Sequence, residues 1–209
     1  MKEIVRGKLK IIGTGFYVTR YGMFLTAKHV LDELIDNEGA LPPVGLVLHM
    51  AGEDRVLLRG IFSIARHTEF DVGLGQADNF HDSHPNDPLM NLRGTLSTSV
   101  PPVGRPLVTY AYPENEVLDF ISSEGNHAIR GDYYEGKFLE YVTTSDNPSI
   151  PYPHYSTSIE IRGGASGGLV FDYTGKIVGV NCRGWDFRGA EFEGSNLSSI
   201  LPPNGACHD

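Results

Sequence analysis

Apolar runs in this chain are short, and turn residues close almost every one of them. Met23 to Thr26, Val44 to Met50, Arg55 to Ile64, Phe70 to Leu74, Pro106 to Ala111 and Val117 to Ser122 read as strands. So do His127 to Arg130, Lys137 to Thr144, Tyr155 to Ile161, Leu169 to Asp172 and Lys176 to Cys182, and Lys10 to Val18 reads as one interrupted by Gly13 and Gly15. The punctuation comes from 25 glycines and 13 prolines among 209 residues, a density that favours many short strands over long helices. Asp172-Tyr173-Thr174-Gly175 has the chemistry of a hairpin turn. Two short helices are expected. One is His29 to Asn37, where Leu31, Leu34 and Ile35 share a face before Gly39; the other is Asn196 to Leu201, closed by Pro202-Pro203. Gln76 to Arg93 lacks apolar periodicity and reads as a polar surface loop. The pattern is all-β, with a natural division near Pro101-Pro102.

Charge and cysteine content remove whole classes of function. Seventeen basic against 26 acidic residues give a formal charge of −9. That argues against a phosphate-tracking basic face, so no nucleic-acid partner is expected. It equally disfavours docking on an anionic membrane. The two cysteines, Cys182 and Cys207, form no CxxC motif and no disulfide scaffold. Met1-Lys2-Glu3-Ile4 does not open an apolar signal segment, and no run nears the ~20 apolar residues of a membrane helix. A cytoplasmic, thiol-reducing location is the expectation.

Three local signals carry chemistry. In Arg162-Gly163-Gly164-Ala165-Ser166-Gly167-Gly168, a serine lies among four glycines directly before an apolar run. A nucleophilic hydroxyl needs open space and converging backbone N–H groups, and glycines permit both; a plain glycine-rich turn would read the same way. Gly13-Thr14-Gly15-Phe16-Tyr17-Val18 and Leu25-Thr26-Ala27-Lys28-His29-Val30 put His29 at a strand end, where a side chain is held firmly yet can face a cleft. An imidazole with an unperturbed pKa near ~6.5 suits a general base, although an ordinary half-buried histidine fits this position too. In Phe70-Asp71-Val72-Gly73-Leu74, Asp71 directly precedes an apolar alternation. A buried carboxylate there is costly unless it accepts a hydrogen bond, either from an imidazole or from the backbone.

Taken together, the order His29, Asp71, Ser166 is that of chymotrypsin-type enzymes rather than of subtilisins or α/β-hydrolases. Gly-Thr-Gly-Phe-Tyr-Val, Leu-Thr-Ala-Lys-His-Val, Phe-Asp-Val-Gly-Leu, Gly-Gly-Ala-Ser-Gly-Gly-Leu-Val and Gly-Lys-Ile-Val-Gly-Val-Asn-Cys follow one another as this family's blocks do. From Ile12 to Cys182 the chain resembles trypsin-like serine peptidases, most of all the bacterial HtrA-related kind. The resemblance implies an all-β fold of two six-stranded antiparallel Greek-key barrels with the active site between them. Residues 1–98 would carry His29 and Asp71; residues 99–209 would carry Ser166, the oxyanion loop, the specificity pocket and a C-terminal tail. It implies a serine endopeptidase of polypeptide substrates, without cofactor or metal. Ser166 would be nucleophile, His29 general base, Asp71 its orienting partner, and the N–H groups of Gly164 and Ser166 the oxyanion hole.

The departures from the family are specific. Digestive members place Asp before the nucleophile to pair with a cleaved N-terminus, whereas this chain has Ala165, so no zymogen switch of that type is expected. The cysteine pairs of secreted members are absent, and no PDZ-like module follows Cys182. By family alignment the pocket base falls near Glu160, which would favour a basic P1 side chain; the alternation through Thr157, Ile159 and Ile161 also fits a plain exposed face. Asn181, Cys182 and Arg183 would line the strand that pairs with substrate. A regulatory protein or fused domain is an expected partner. The competing expectation is a protease-fold binding module that stays latent until such a partner orders the oxyanion loop. His81-Asp82-Ser83-His84 reads as a solvated loop rather than a zinc site, Arg130-Gly131-Asp132 as a turn, and Cys182 as a packed free thiol.

Overall fold

Alternation along a four-residue strand, β3 (Met23–Thr26), sends neighbouring side chains into different cores. Phe24 packs with Leu31 and Ala77. Leu25, on the other face, packs with Phe70 and Val72. In this computed structural model the described residues are 8–35, 46–50, 56–78, 94–113, 117–119, 130–143, 146, 148, 150–184 and 196–200. The remaining elements are β1 (Lys8–Lys10), β2 (Phe16–Tyr17), α1 (Lys28–Asp32), β4 (Leu46–Met50), β5 (Val56–Arg66), β6 (Gly73–Ala77) and β7 (Thr95–Leu96). The second half adds β8 (Pro106–Ala111), β9 (Val117–Asp119), β10 (Asp132–Val142), β11 (His154–Thr157), β12 (Leu169–Asp172), β13 (Lys176–Arg183) and β14 (Asn196–Ile200).

The first half forms a five-stranded antiparallel sheet ordered β2-β3-β6-β5-β4. The second forms a seven-stranded sheet ordered β12-β8-β10-β11-β14-β13-β7, and β13 also pairs with β12 at the opposite end of that order. Its core is Leu107, Phe138, Tyr155, Ile159, Val170 and Val178. Ile177 through Cys182 are all buried, because β13 has a strand on both edges and packing on both faces. Two contacts tie the halves together early: β1 pairs with β9, and β7 runs parallel to β13. No helix among the described residues is long and apolar enough to cross a membrane.

Several expectations change. Among the described residues the two sheets hold five and seven strands where six and six were expected, and β7, which precedes residue 98, pairs into the second sheet. Asn196 to Leu201 is not helical. Asn196–Ile200 is strand β14, which fills the gap between β11 and β13, and tertiary pairing overrides local propensity there. Lys10 to Val18 is not one strand, since β1 leaves to pair with β9 while β2 pairs with β3. The helix after His29 is confined to Lys28–Asp32 and tightens at its end, where Leu34 N–H donates to the Leu31 carbonyl at 3.0 Å. Arg130 and Gly131 are irregular chain leading into β10. His81, Asp82, Ser83, His84, Cys207 and most of the segment 76–93 lie outside the described residues.

Candidate active site

Asp71 follows β5 in an irregular stretch and its side chain is only 6% exposed, so its charge requires donors. It has three. The His29 backbone N–H donates to Oδ1 at 2.9 Å, and His29 Nδ1 meets Oδ2 at 2.7 Å. The Tyr152 hydroxyl donates to Oδ2 at 3.1 Å. Burial pushes the Asp71 carboxyl up, but the His29 contacts and then Tyr152 outweigh it and hold the group below its ordinary value of 3.8. An ionised carboxylate at 2.7 Å assigns the proton to Nδ1, so a neutral His29 presents Nε2 as an acceptor. The imidazole, 29% exposed, has the opening a base needs. One backbone bond thus does two things: it satisfies an N–H in the first turn of α1 and aligns the ring with its carboxylate.

Ser166 stands in a loop most of whose peptides are held by hydrogen bonds. Ala165 N–H donates to the Arg162 carbonyl at 3.1 Å, and Gly164 has φ +86° with no positive φ at Gly163, which makes residues 162–165 a type II turn. Gly168 N–H donates to the Ala165 carbonyl at 3.0 Å and Gly167 N–H to the Asn181 carbonyl at 2.7 Å. The N–H groups of Gly164 and Ser166 donate to none of the described residues.

Cys182 joins these two parts. The β13–β14 register steps from Asn181↔Ser198 to Arg183↔Leu197, leaving Cys182 as the extra residue of a bulge. Its carbonyl accepts the Ser166 hydroxyl at 3.1 Å, and its buried thiol lies within donating distance, 3.4 Å, of both the Asp71 and the Val180 carbonyls. His29 and Asp71 are therefore brought together directly, and Ser166 is linked to them through Cys182. The expected hydrogen bond from Ser166 to His29 is not formed, because the hydroxyl is turned to the Cys182 carbonyl instead.

The other expected site residues divide differently. Asn181 is 1% exposed and points inward, with Nδ2 donating to Thr109 Oγ1 at 2.6 Å, so its side chain holds the loop's base rather than lining a groove. Arg183 is exposed at the end of β13. Glu160 is exposed just beyond β11, and its neighbour Ile159 is the side chain that enters the core. This is the outward alternation rather than a buried pocket carboxylate. Sequence reasoning missed Tyr152. Its one local mark is Pro151-Tyr152-Pro153, whose prolines hold an extended backbone. Burial first, then the electrostatic influence of Cys182 and of the Asp71 carboxylate, push the Tyr152 hydroxyl up, so it stays protonated and able to donate. Among the described residues no group of three His, Cys, Asp or Glu side chains could hold a metal ion.

Residues 13–180 match a family described as trypsin-like peptidase domain. No curated protein matches the chain. The HtrA-type protease AlgW, solved with a decapeptide, is similar at 16% identity and a TM-score of 0.58, over 91% of this chain and 48% of that one. An inactive form of the Rv3671c protease is similar at 17% identity and a TM-score of 0.57, over 90% and 78%. Deg5 is similar at 16% identity and a TM-score of 0.54, over 92% and 79%. At such identities the likeness is one of fold, and the chain spans about half the length of the AlgW chain.

Proposed function

The chain belongs to the trypsin-like peptidase domain family, and from that premise we propose that it is a serine endopeptidase working through an acyl-enzyme. The observation that carries the reading is the 2.7 Å contact of His29 Nδ1 with a buried, ionised Asp71, backed onto the residue that holds the Ser166 hydroxyl. The two sheets are read as the fold's two Greek-key barrels, divided near residue 98. Ser166 Oγ attacks a substrate carbonyl and its proton passes to His29 Nε2. The resulting oxyanion is received by the N–H groups of Gly164 and Ser166. Collapse expels the amine, which takes the proton from His29, and water repeats the sequence on the ester. Asp71 stays ionised throughout and stabilises the imidazolium.

Attack requires the Ser166 hydroxyl to turn from Cys182 toward His29, a rotation open to any hydroxyl. Substrate backbone added along Cys182 and Arg183 would offer its own N–H to the Cys182 carbonyl and release the hydroxyl. Catalytic hydrogen bonds that form only in the complex are common. The test is digestion of a proteome-derived peptide library. The wild type should cleave it and Ser166→Ala should not; an intact library after treatment with folded wild-type protein refutes the reading. That same resting hydroxyl orientation favours a second reading, a latent peptide-binding module. It would retain peptides from the library uncut.

A further inference from the structure

Thr14 spends every polar atom it has on the junction between the nucleophile loop and its surroundings. It is 5% exposed in the irregular segment before β2, within the half that carries His29. Its N–H donates to the Ser166 carbonyl at 2.7 Å. Its hydroxyl donates to the Gly164 carbonyl at 3.1 Å and accepts from the Tyr112 N–H at 3.0 Å. Its carbonyl accepts the Thr26 hydroxyl at 2.6 Å. A hydroxyl offers one donor and two acceptor sites, so giving to Gly164 while taking from Tyr112 is a self-consistent use of it.

These bonds matter because of which peptides they hold. The 164–165 peptide is gripped at both ends, by Arg162 on its N–H and by Thr14 on its oxygen. The 165–166 peptide is gripped by Gly168, and the 166–167 peptide by Thr14 and Asn181. Only the 163–164 peptide, which carries the Gly164 N–H, has no hydrogen bond of its own to the described residues. Its orientation depends on the fixed planes beside it. Gly167, at φ +87°, lies against the Thr14 carbonyl and the Thr26 hydroxyl so closely that no side chain fits between them. Ala165, fully buried, offers no carboxylate to an N-terminal ammonium.

Building on the endopeptidase reading, we propose that Thr14 is the positioning residue of the oxyanion loop. From the opposite half of the molecule it locks the carbonyls of Gly164 and Ser166, so that the N–H donors of Gly164 and Ser166 stand ready without a cleaved N-terminus. Thr14 touches no reacting atom and acts through the loop.

The experiment measures inactivation by an alkyl fluorophosphonate. Ser166 Oγ bonds to phosphorus, fluoride leaves, and the hydroxyl proton passes to His29; the phosphoryl oxygen occupies the oxyanion position. Thr14→Val, which keeps the shape and deletes the hydroxyl, should lower the maximal inactivation rate by about 10–100-fold, short of the ~10²–10³ lost with a whole oxyanion donor. The half-saturating probe concentration should stay within about threefold, and Thr14→Ser should restore most of the rate. Equal rates for wild type and Thr14→Val overturn the inference, as does a weakened apparent affinity with an unchanged maximal rate. Should Thr14→Val fail to fold, Thr14→Ala against Thr14→Ser decides the matter: a slower alanine variant supports the role and equal rates refute it. A folded wild type that resists the probe refutes the endopeptidase reading itself, and this inference with it.

Discussion

Tyr152→Phe keeps the aromatic ring and deletes one donor to the buried Asp71 carboxylate. A hydrogen bond to a charged group contributes ~1.5–3 kcal/mol. The Tyr152 hydroxyl is only half-buried and water can partly replace it, so a loss of about 1–2 kcal/mol is expected at neutral pH. For a chain of this length that is ~2–8 °C in melting temperature. The pH dependence identifies the cause. Asp71 is held below its unfolded value of 3.8, so its contribution is fully present above that value and is lost as pH falls through the folded pKa. Removing Tyr152's donor leaves burial less opposed and raises the folded pKa. The stability gap between wild type and variant should therefore be full at neutral pH and shrink as Asp71 protonates. Urea unfolding from pH 7 down to about pH 3 measures this directly. A gap that stays constant over the range, or one below ~0.3 kcal/mol at pH 7, refutes the assignment of Tyr152 to the ionised carboxylate.

Thr109, fully buried, accepts from Asn181 Nδ2 at 2.6 Å and donates to the Leu169 carbonyl at 2.7 Å. Thr109→Val removes the acceptor of the buried Asn181 Nδ2 and the hydroxyl bond to the Leu169 carbonyl, and should destabilise by about 2–4 kcal/mol in urea unfolding; a loss under ~1 kcal/mol would mean the relay carries no weight. Glu160, being exposed, should not set specificity. Glu160→Gln should leave the ratio of cleavage after basic and neutral P1 residues within about threefold in library digestion, and a collapse of cleavage after basic residues would restore it to the pocket.

What the sequence made legible was local. Pro106–Ala111 alternates and turns out to be β8 residue for residue, and Asp172 closes its turn by accepting from Thr174 and Lys176, as that turn chemistry requires. Asp71 stands out because a carboxylate sits oddly before an apolar alternation, whereas His29, at a strand end, gains meaning only from its order with Asp71 and Ser166. Asn196–Ile200 was misread because what makes it a strand is the pair of waiting edges on β11 and β13, about 40 and 20 residues away in the chain. The Thr14 hydroxyl meets its partner 150 residues away, and the Tyr152 hydroxyl meets Asp71 across 81. No spacing rule reports such bonds, since a threonine between two glycines and a tyrosine between two prolines each have an ordinary turn reading. The inward-facing Asn181 eluded sequence reasoning for a related reason: nothing local says which side of β13 meets substrate.

Ser166 divides its duties between main chain and side chain. Its carbonyl, held by the Thr14 N–H, fastens the two halves, while its hydroxyl is left for chemistry. On the endopeptidase reading, exchange of the side chain for hydrogen or methyl would erase turnover and leave the fastening by the Ser166 carbonyl in place. On the same reading, a descendant of this chain could abandon hydrolysis in one substitution and survive as a peptide holder, its two halves still fastened through the backbone.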